Sequence, residues 1–149
     1  MDSTKPKKQS SGKLWMYVLI VILATFLVSM TIMVTSMSPE EIYRKNSNIR
    51  IEVLNGCEVN RLAIKVAHLL RKKGFNVVKI GDTNKKYFEK TVVLERSDEN
   101  MENANYFAQR IGCKNIGKDI DTALFLEITI IIGKDYKKIF PDVDKEFQY

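Results

Sequence analysis

The run "LWMYVLIVILATFLVSMTIMV", Leu14 to Val34, holds 21 residues without a charge. As a helix it spans roughly 31 Å, close to the ~30 Å hydrocarbon core of a bilayer. No polar stripe breaks the run, which excludes a half-buried amphipathic helix. A cleaved signal peptide carries an apolar stretch of only about 7 to 15 residues, ending in a small-residue site. This run is longer and leaves through Thr35, Ser36, Met37 and Ser38 with no such site. It is expected to be an uncleaved, single-pass anchor in the lipid bilayer.

Flanking charge sets the expected orientation. Lys5, Lys7, Lys8 and Lys13 precede the run, and Glu40 and Glu41 are the first charges after it. Excess Lys favours the cytoplasmic side, so the N-terminus is expected inside and the remaining chain outside. Trp15 and Tyr17 fall at the inner interface, where amphipathic rings are favoured. The net charge of +6 divides evenly between the first 13 residues and everything from Ser38 onward. The high pI is therefore half a topology signal, and nucleic acid is not an expected partner.

Residues 1–13 read as a polar cytoplasmic tail, 14–34 as the transmembrane helix, and 35–48 as a short tether. A domain follows over 49–136, with a tail over 137–149. In "IRIEVLN", Ile49, Ile51 and Val53 alternate with Arg50 and Glu52, the period of a half-buried strand. From Asn60 the period becomes helical, with Leu62, Val66, Leu69 and Leu70 on one face and Gly74 as the stop. "FNVVKI" and "KTVVLE" read as strands. A second helix follows, capped by Ser97 or Asp98, with Met101, Ala104, Ala108 and Ile111 inward and Gly112 at its end. "ALFLEITIIIG" reads as the longest strand, with Leu124, Leu126, Ile128, Ile130 and Ile132 on one face.

The order βαββαβ predicts an α+β fold after the transmembrane helix. Its form would be a split two-layer sandwich, a four-stranded sheet of order 4-1-3-2 with two helices on one face.

The ordered set "IRIEVLNG", Ala63 and Leu70, "KGFNVV", "TVVL", Ala104 with "FAQRIG", and "EITIIIGKDY" resembles the LytR C-terminal domain family over Ile49 to Tyr136. That family occurs behind the catalytic domain of enzymes that attach polymers to the bacterial cell wall, and also alone on single-pass membrane proteins. No catalytic domain separates the anchor from the first strand here. The resemblance thus implies an extracytoplasmic accessory module at the cytoplasmic (inner) membrane, and no reaction. Two functions fit it: binding cell-wall glycan or an anionic wall polymer, or a protein-interaction scaffold for wall-polymer ligases or division proteins.

The stretch "VLNGCEVNRLA", residues 53–63, invites three chemical readings. A phosphate cradle needs several glycines, and only Gly56 is present, with Glu58 repelling an anion. A catalytic thiol at Cys57 needs a nearby base, and the single histidine, His68, lies about three turns along the helix. A disulfide between Cys57 and Cys113 is allowed, because both fall at one end of the expected layer, as are two free thiols. A turn is the simplest reading. Arg61, Lys65 and Lys72 share a helix face with His68, which gives either a basic stripe for an anionic polymer or a solvated back. Tyr136, in "GKDY", could stack on a sugar or pack its ring inward. No metal, cofactor or paired-carboxylate site is expected. The tail aromatics Phe140, Phe147 and Tyr149 fit a partner-binding peptide or a fold-back segment.

Overall fold

The computed structural model describes residues 11–35, 37–84 and 87–145. Most of the polar N-terminal tail, and Phe147 and Tyr149, lie outside these. The chain divides into two compact units, Met1–Ser38 and Pro39–Tyr149.

Among the described residues, the first unit holds the helix α1 (Ser11–Thr35), of 25 residues. Its Gly12–Met33 segment has a mean hydropathy of 2.5 and is long and apolar enough to cross a membrane. The hydroxyls of Thr25 and Thr31 donate to the carbonyls of Ile22 and Val28 at 2.8 Å. Such back-bonding satisfies polar groups that a hydrocarbon solvent would not.

The second unit begins with a helix, α2 (Pro39–Asn48), where the sequence suggested only a tether. Glu40 and Glu41 lie in its first turn and Lys45 in its last, matching the helix dipole. Asn46, 3% exposed, fixes α2 to the domain. Its amide donates to Lys73 O at 2.7 Å, and its carbonyl accepts from the Tyr106 hydroxyl at 2.9 Å. Tyr43 covers Gly74, where an added Cβ would meet its ring at 2.7 Å.

The remaining elements are β1 (Arg50–Asn55), α3 (Leu62–Lys72), β2 (Asn76–Asp82), β3 (Val92–Glu95), α4 (Glu102–Ile111), β4 (Ile116–Lys118), β5 (Ile128–Ile132) and α5 (Tyr136–Ile139). The sheet is five-stranded, of order β2-β1-β5-β3-β4, not a four-stranded 4-1-3-2 sheet. Pairing is parallel for β1 with β2 and β5 and for β3 with β4, and antiparallel only between β3 and β5. The physical reason lies in the crossovers. Each helix carries its chain back to a neighbouring parallel strand, as β1-α3-β2 and β3-α4-β4, and β5 then joins the two halves. β4 is only three residues long, too short for its alternation to show in the sequence.

Ile51, Val53, Val77, Val93, Ile128, Ile130 and Ile132 form one buried face. Against it pack Leu62, Val66 and Leu70 of α3 and Ala104, Phe107, Ala108 and Ile111 of α4, all buried. Phe107, fully buried, meets Phe75 edge-to-face at 5.0 Å. Met101 precedes α4 in a left-handed conformation and is not among the core residues. The chain also folds back after α5, burying Phe140 and Val143 in the same core.

The other sheet face carries a polar row across the strands. Lys79 pairs with Glu52 at 2.6 Å, Thr129 donates to Glu52 at 3.0 Å, and Arg96 donates to Thr129 at 2.9 Å and pairs with Asp119. Glu52 and Thr129 are nearly or fully buried, so this row satisfies groups that would otherwise be costly there. Beside it Arg50 grips Glu127, its Nη2 donating to Oε1 at 2.7 Å. Partial burial works against the charged form of Glu127, but the Arg50 hydrogen bonds outweigh it and hold the carboxyl below its usual range.

The segment read as one long strand is divided. Thr122–Leu124 form a 3-10 turn, and the strand starts only at Ile128. Asp121 caps that turn, accepting from Ala123 N at 3.1 Å, which diverts the chain before β5.

Candidate functional site

A groove of about 710 Å³ opens where β1 and β2 end and α3 begins. Asn55, Glu58, Asn60, Arg61, Asp82 and Thr83 supply its polar lining, with Val59, Leu62 and Ile80 among its apolar residues. Parallel strands joined by a crossover helix commonly present ligand sites at their carboxyl ends.

The Asn55–Gly56 turn builds one wall. Asn55 Oδ1 accepts from Cys57 N at 3.2 Å, and its Nδ2 donates to Val59 O at 3.1 Å, an Asx turn closed from both sides. Gly56 N–H donates to Ile132 O at 2.9 Å, and Gly56 O accepts from Phe88 N at 2.8 Å. A side chain at Gly56 would meet Ile131 and Ile132 at 2.8 Å and Phe88 at 2.9 Å. The crevice between β1 and β5, where the strand order reverses, is thus closed by Phe88, and the open groove lies beside β2. Thr83 N donates to Asn55 O at 3.1 Å and ties the second wall to the first.

Arg61 sits at the mouth in a left-handed conformation, φ 59°, directly before α3. With Asn60, Ile64 and Lys65 it also lines a smaller adjoining recess of about 260 Å³. Lys65 reaches Asp144 at 3.4 Å. The buried stripe of α3 leaves His68 and Lys72 exposed and Lys65 partly so, while Arg61, also exposed, precedes the helix instead of sharing its face. The structure brings Arg61 and Lys65 together. Lys72 stands roughly 16 Å further along, at the opposite end of the helix.

Tyr136 is only 9% exposed and belongs to the core, so its ring packs inward and offers no open platform for a sugar. The rest of "GKDY" is structural as well. Asp135 Oδ1 accepts from the backbone and hydroxyl of Thr91 at 2.7 and 2.8 Å, and Gly133 N donates to that hydroxyl at 3.1 Å.

Cys57 and Cys113 are both buried free thiols, so the disulfide that sequence allowed is not formed. They do belong to the same end of the layer. However, β5 intervenes between β1 and β3, which separates the strands by two spacings, roughly 9.6 Å, beyond the ~7 Å Cα reach of a disulfide. Cys57 Sγ lies 3.6 Å from Asn55 Oδ1, and Cys113 Sγ lies 3.4 Å from Thr91 O. Burial pushes the Cys113 thiol above its usual range. We expect both thiols to resist maleimide in the folded chain and both to react in denaturant without reductant. A denatured chain with no reactive thiol would show a bridge instead.

Asp82 and Thr83 were not foreseen as groove residues. The parallel pairing of β1 with β2 brings them there, and its signal is the β-α-β spacing from Arg50 to Asp82. Glu58 was noted only as an anion repeller. It accepts from the Tyr87 hydroxyl at 2.7 Å, which anchors the loop between β2 and β3 to the groove rim.

No curated protein matches the chain, and no solved structure does. The family described as LytR cell envelope-related transcriptional attenuator matches residues 48–136, from the end of α2 to the start of α5. That match takes in both crossovers, the groove and the Thr91–Asp135 clamp, and the chain therefore belongs to this cell envelope-related family.

Proposed function

We propose that the chain is a membrane-anchored, non-enzymatic module of the bacterial envelope. Its groove takes cell-wall glycan or an anionic wall polymer on the outer side of the cytoplasmic membrane, with the N-terminus inside. The observation that carries this reading is the composition of the groove. Amide, hydroxyl, carboxyl and guanidinium groups rim it around the half-buried Val59 and Ile80. Sugars present the matching surface, hydroxyl edges around apolar C–H faces. Arg61 in the lining and Lys65 in the adjoining recess offer cations to an anionic polymer, set against Glu58 and Asp82 in the same lining. Envelope membership supplies the setting, and the anchor keeps a weak binder at high local concentration. Cys57 lines the groove but is buried, and His68 is outside the lining, so no Cys–His pair is assembled there.

A protein-interaction scaffold for wall-polymer ligases or division proteins is the second reading. Ile64 favours it, an aliphatic side chain 46% exposed beside Arg61 and Lys65.

The test is co-sedimentation of the full chain, in detergent micelles, with purified wall sacculi at low and high salt. Binding is expected to weaken with salt and to fall about tenfold, or ~1.4 kcal/mol, when Arg61 and Lys65 are both changed to alanine. Lys72→Ala should leave it unchanged if the groove, and not the whole stripe, is the site. A folded chain that does not sediment with sacculi would discard the glycan reading and leave the scaffold.

A further inference from the structure

The loop between β4 and β5 presents an apolar tip that the groove does not use. Phe125 is 72% exposed and Leu124 39% exposed, and Thr122 and Ala123 beside them are exposed too. Phe125 also lies in the left-handed backbone region, φ 53° and ψ 38°. That conformation suits glycine or asparagine and is unfavourable for a bulky ring. Solvent exposure of the ring is a second cost. Strain held at an exposed aromatic points to a contact that is made outside the domain.

The tip is rigidly held. Asp121 N donates to Arg96 O at 3.0 Å, Asp121 caps the turn, and Phe125 N closes it onto Thr122 O at 3.2 Å. The acids around it are engaged. Asp119 pairs with Arg96, Asp121 accepts from Ala123 N, and Glu127 is gripped by Arg50. An apolar tip whose flanking acids are already partnered suits a lipid surface better than a basic protein patch.

The occupant follows from where the tip lies in the fold. Glu127 N bonds to Arg50 O, so the loop belongs to the edge at which β1 and β5 begin. α2 is fixed at the same edge, through Lys73 and Gly74 just before β2. Between Thr35 at the end of α1 and Pro39 at the start of α2 the chain advances four residues, about 14 Å at full extension. Lys72 and Lys73, exposed at the end of α3, share this edge and favour anionic headgroups.

We propose that Leu124 and Phe125 insert into the headgroup boundary of the bilayer that holds α1, giving the domain a second membrane contact beside its covalent one. The proposal rests on α1 spanning that bilayer. Aromatic rings are favoured at this depth, and a wedge anchored beside a short connection pays little further entropy to bind.

The chain has one tryptophan, Trp15, in α1. In vesicles of phosphatidylethanolamine and phosphatidylglycerol with brominated acyl chains, Trp15 of the parent protein reports the anchor. A Trp15→Phe, Phe125→Trp protein reports the tip. A Trp15→Phe, Tyr87→Trp protein reports the opposite edge, where Tyr87 is 62% exposed. The expected result is bromolipid quenching and a blue shift at position 125, with neither at position 87. Position 125 unquenched, or quenched no more than position 87, while Trp15 is quenched, would overturn the tip and leave the anchor standing. An unquenched Trp15 would overturn the anchor reading and the tip proposal with it.

Discussion

A Glu95→Ala protein is expected to lose about 4 kcal/mol of stability in its α+β domain, as each buried donor left without an acceptor costs ~1–3 kcal/mol. Glu95 is fully buried at the end of β3. Its Oε2 accepts from Ala104 N at 2.7 Å, inside the first turn of α4, where helical N–H groups lack partners of their own. Its Oε1 accepts from Ser97 N at 3.4 Å, the Ser97 hydroxyl at 3.2 Å and Asp98 N at 3.3 Å. One side chain therefore closes the β3–α4 connection. Asp98 completes it by accepting from Asn100 N and Glu102 N at 3.0 Å, and these bonds hold the Asp98 carboxyl below its usual range. Urea unfolding followed by far-UV circular dichroism measures the loss. Glu95→Gln, which keeps one acceptor oxygen, should fall between the parent and the alanine protein. An alanine protein within about 1 kcal/mol of the parent would mean that water replaces the side chain at little cost.

Gly133→Val should be of similar size, about 3 kcal/mol or more, because overpacking here has no side chain to displace. A Cβ at Gly133 would meet Lys90 O and Thr91 N at 2.7 Å. These are backbone atoms entering β3, and they cannot yield without dragging the strand. The shift would also pull Thr91 from Asp135, whose side chain fixes the end of β5 to the start of β3. Asp135→Asn tests the clamp without the clash and should cost less. If Gly133→Val unfolds at the parent's urea midpoint, the close approach between the two segments is absent in solution.

Local elements were readable from local signals. The uncharged run, the alternation in β1 and the stripe of α3 each follow from a period that a short window contains. Gly74 and Gly112 ended their helices close to where expected. What escaped were features decided by distant partners. α2 is polar by composition, and only Lys73 O and Tyr106, far along the chain, give Asn46 a reason to be buried. The strand order depended on which neighbour β5 chose, and its insertion between β1 and β3 cannot be read from the run "ITIII". That same error hid half of the groove. With order 4-1-3-2, the second strand lies away from the first, and Asp82 and Thr83 never meet Asn55. Arg61 was singled out by helical spacing, whereas it is exposed ahead of α3 in a left-handed conformation. For Tyr136 the sequence left stacking and packing open, and its burial goes with packing.

The docking of α2 and the return of Phe140 and Val143 have a practical consequence for dissecting this protein. The region shared with the family ends at residue 136, and it begins at residue 48. A fragment cut at those limits would uncover Gly74, leave the Tyr106 hydroxyl and Lys73 O without their amide partner, and open the core where Phe140 and Val143 now sit. The packed domain extends past the family-matched stretch at both ends. Truncations meant to isolate the domain should start ahead of Pro39 and run past Lys145.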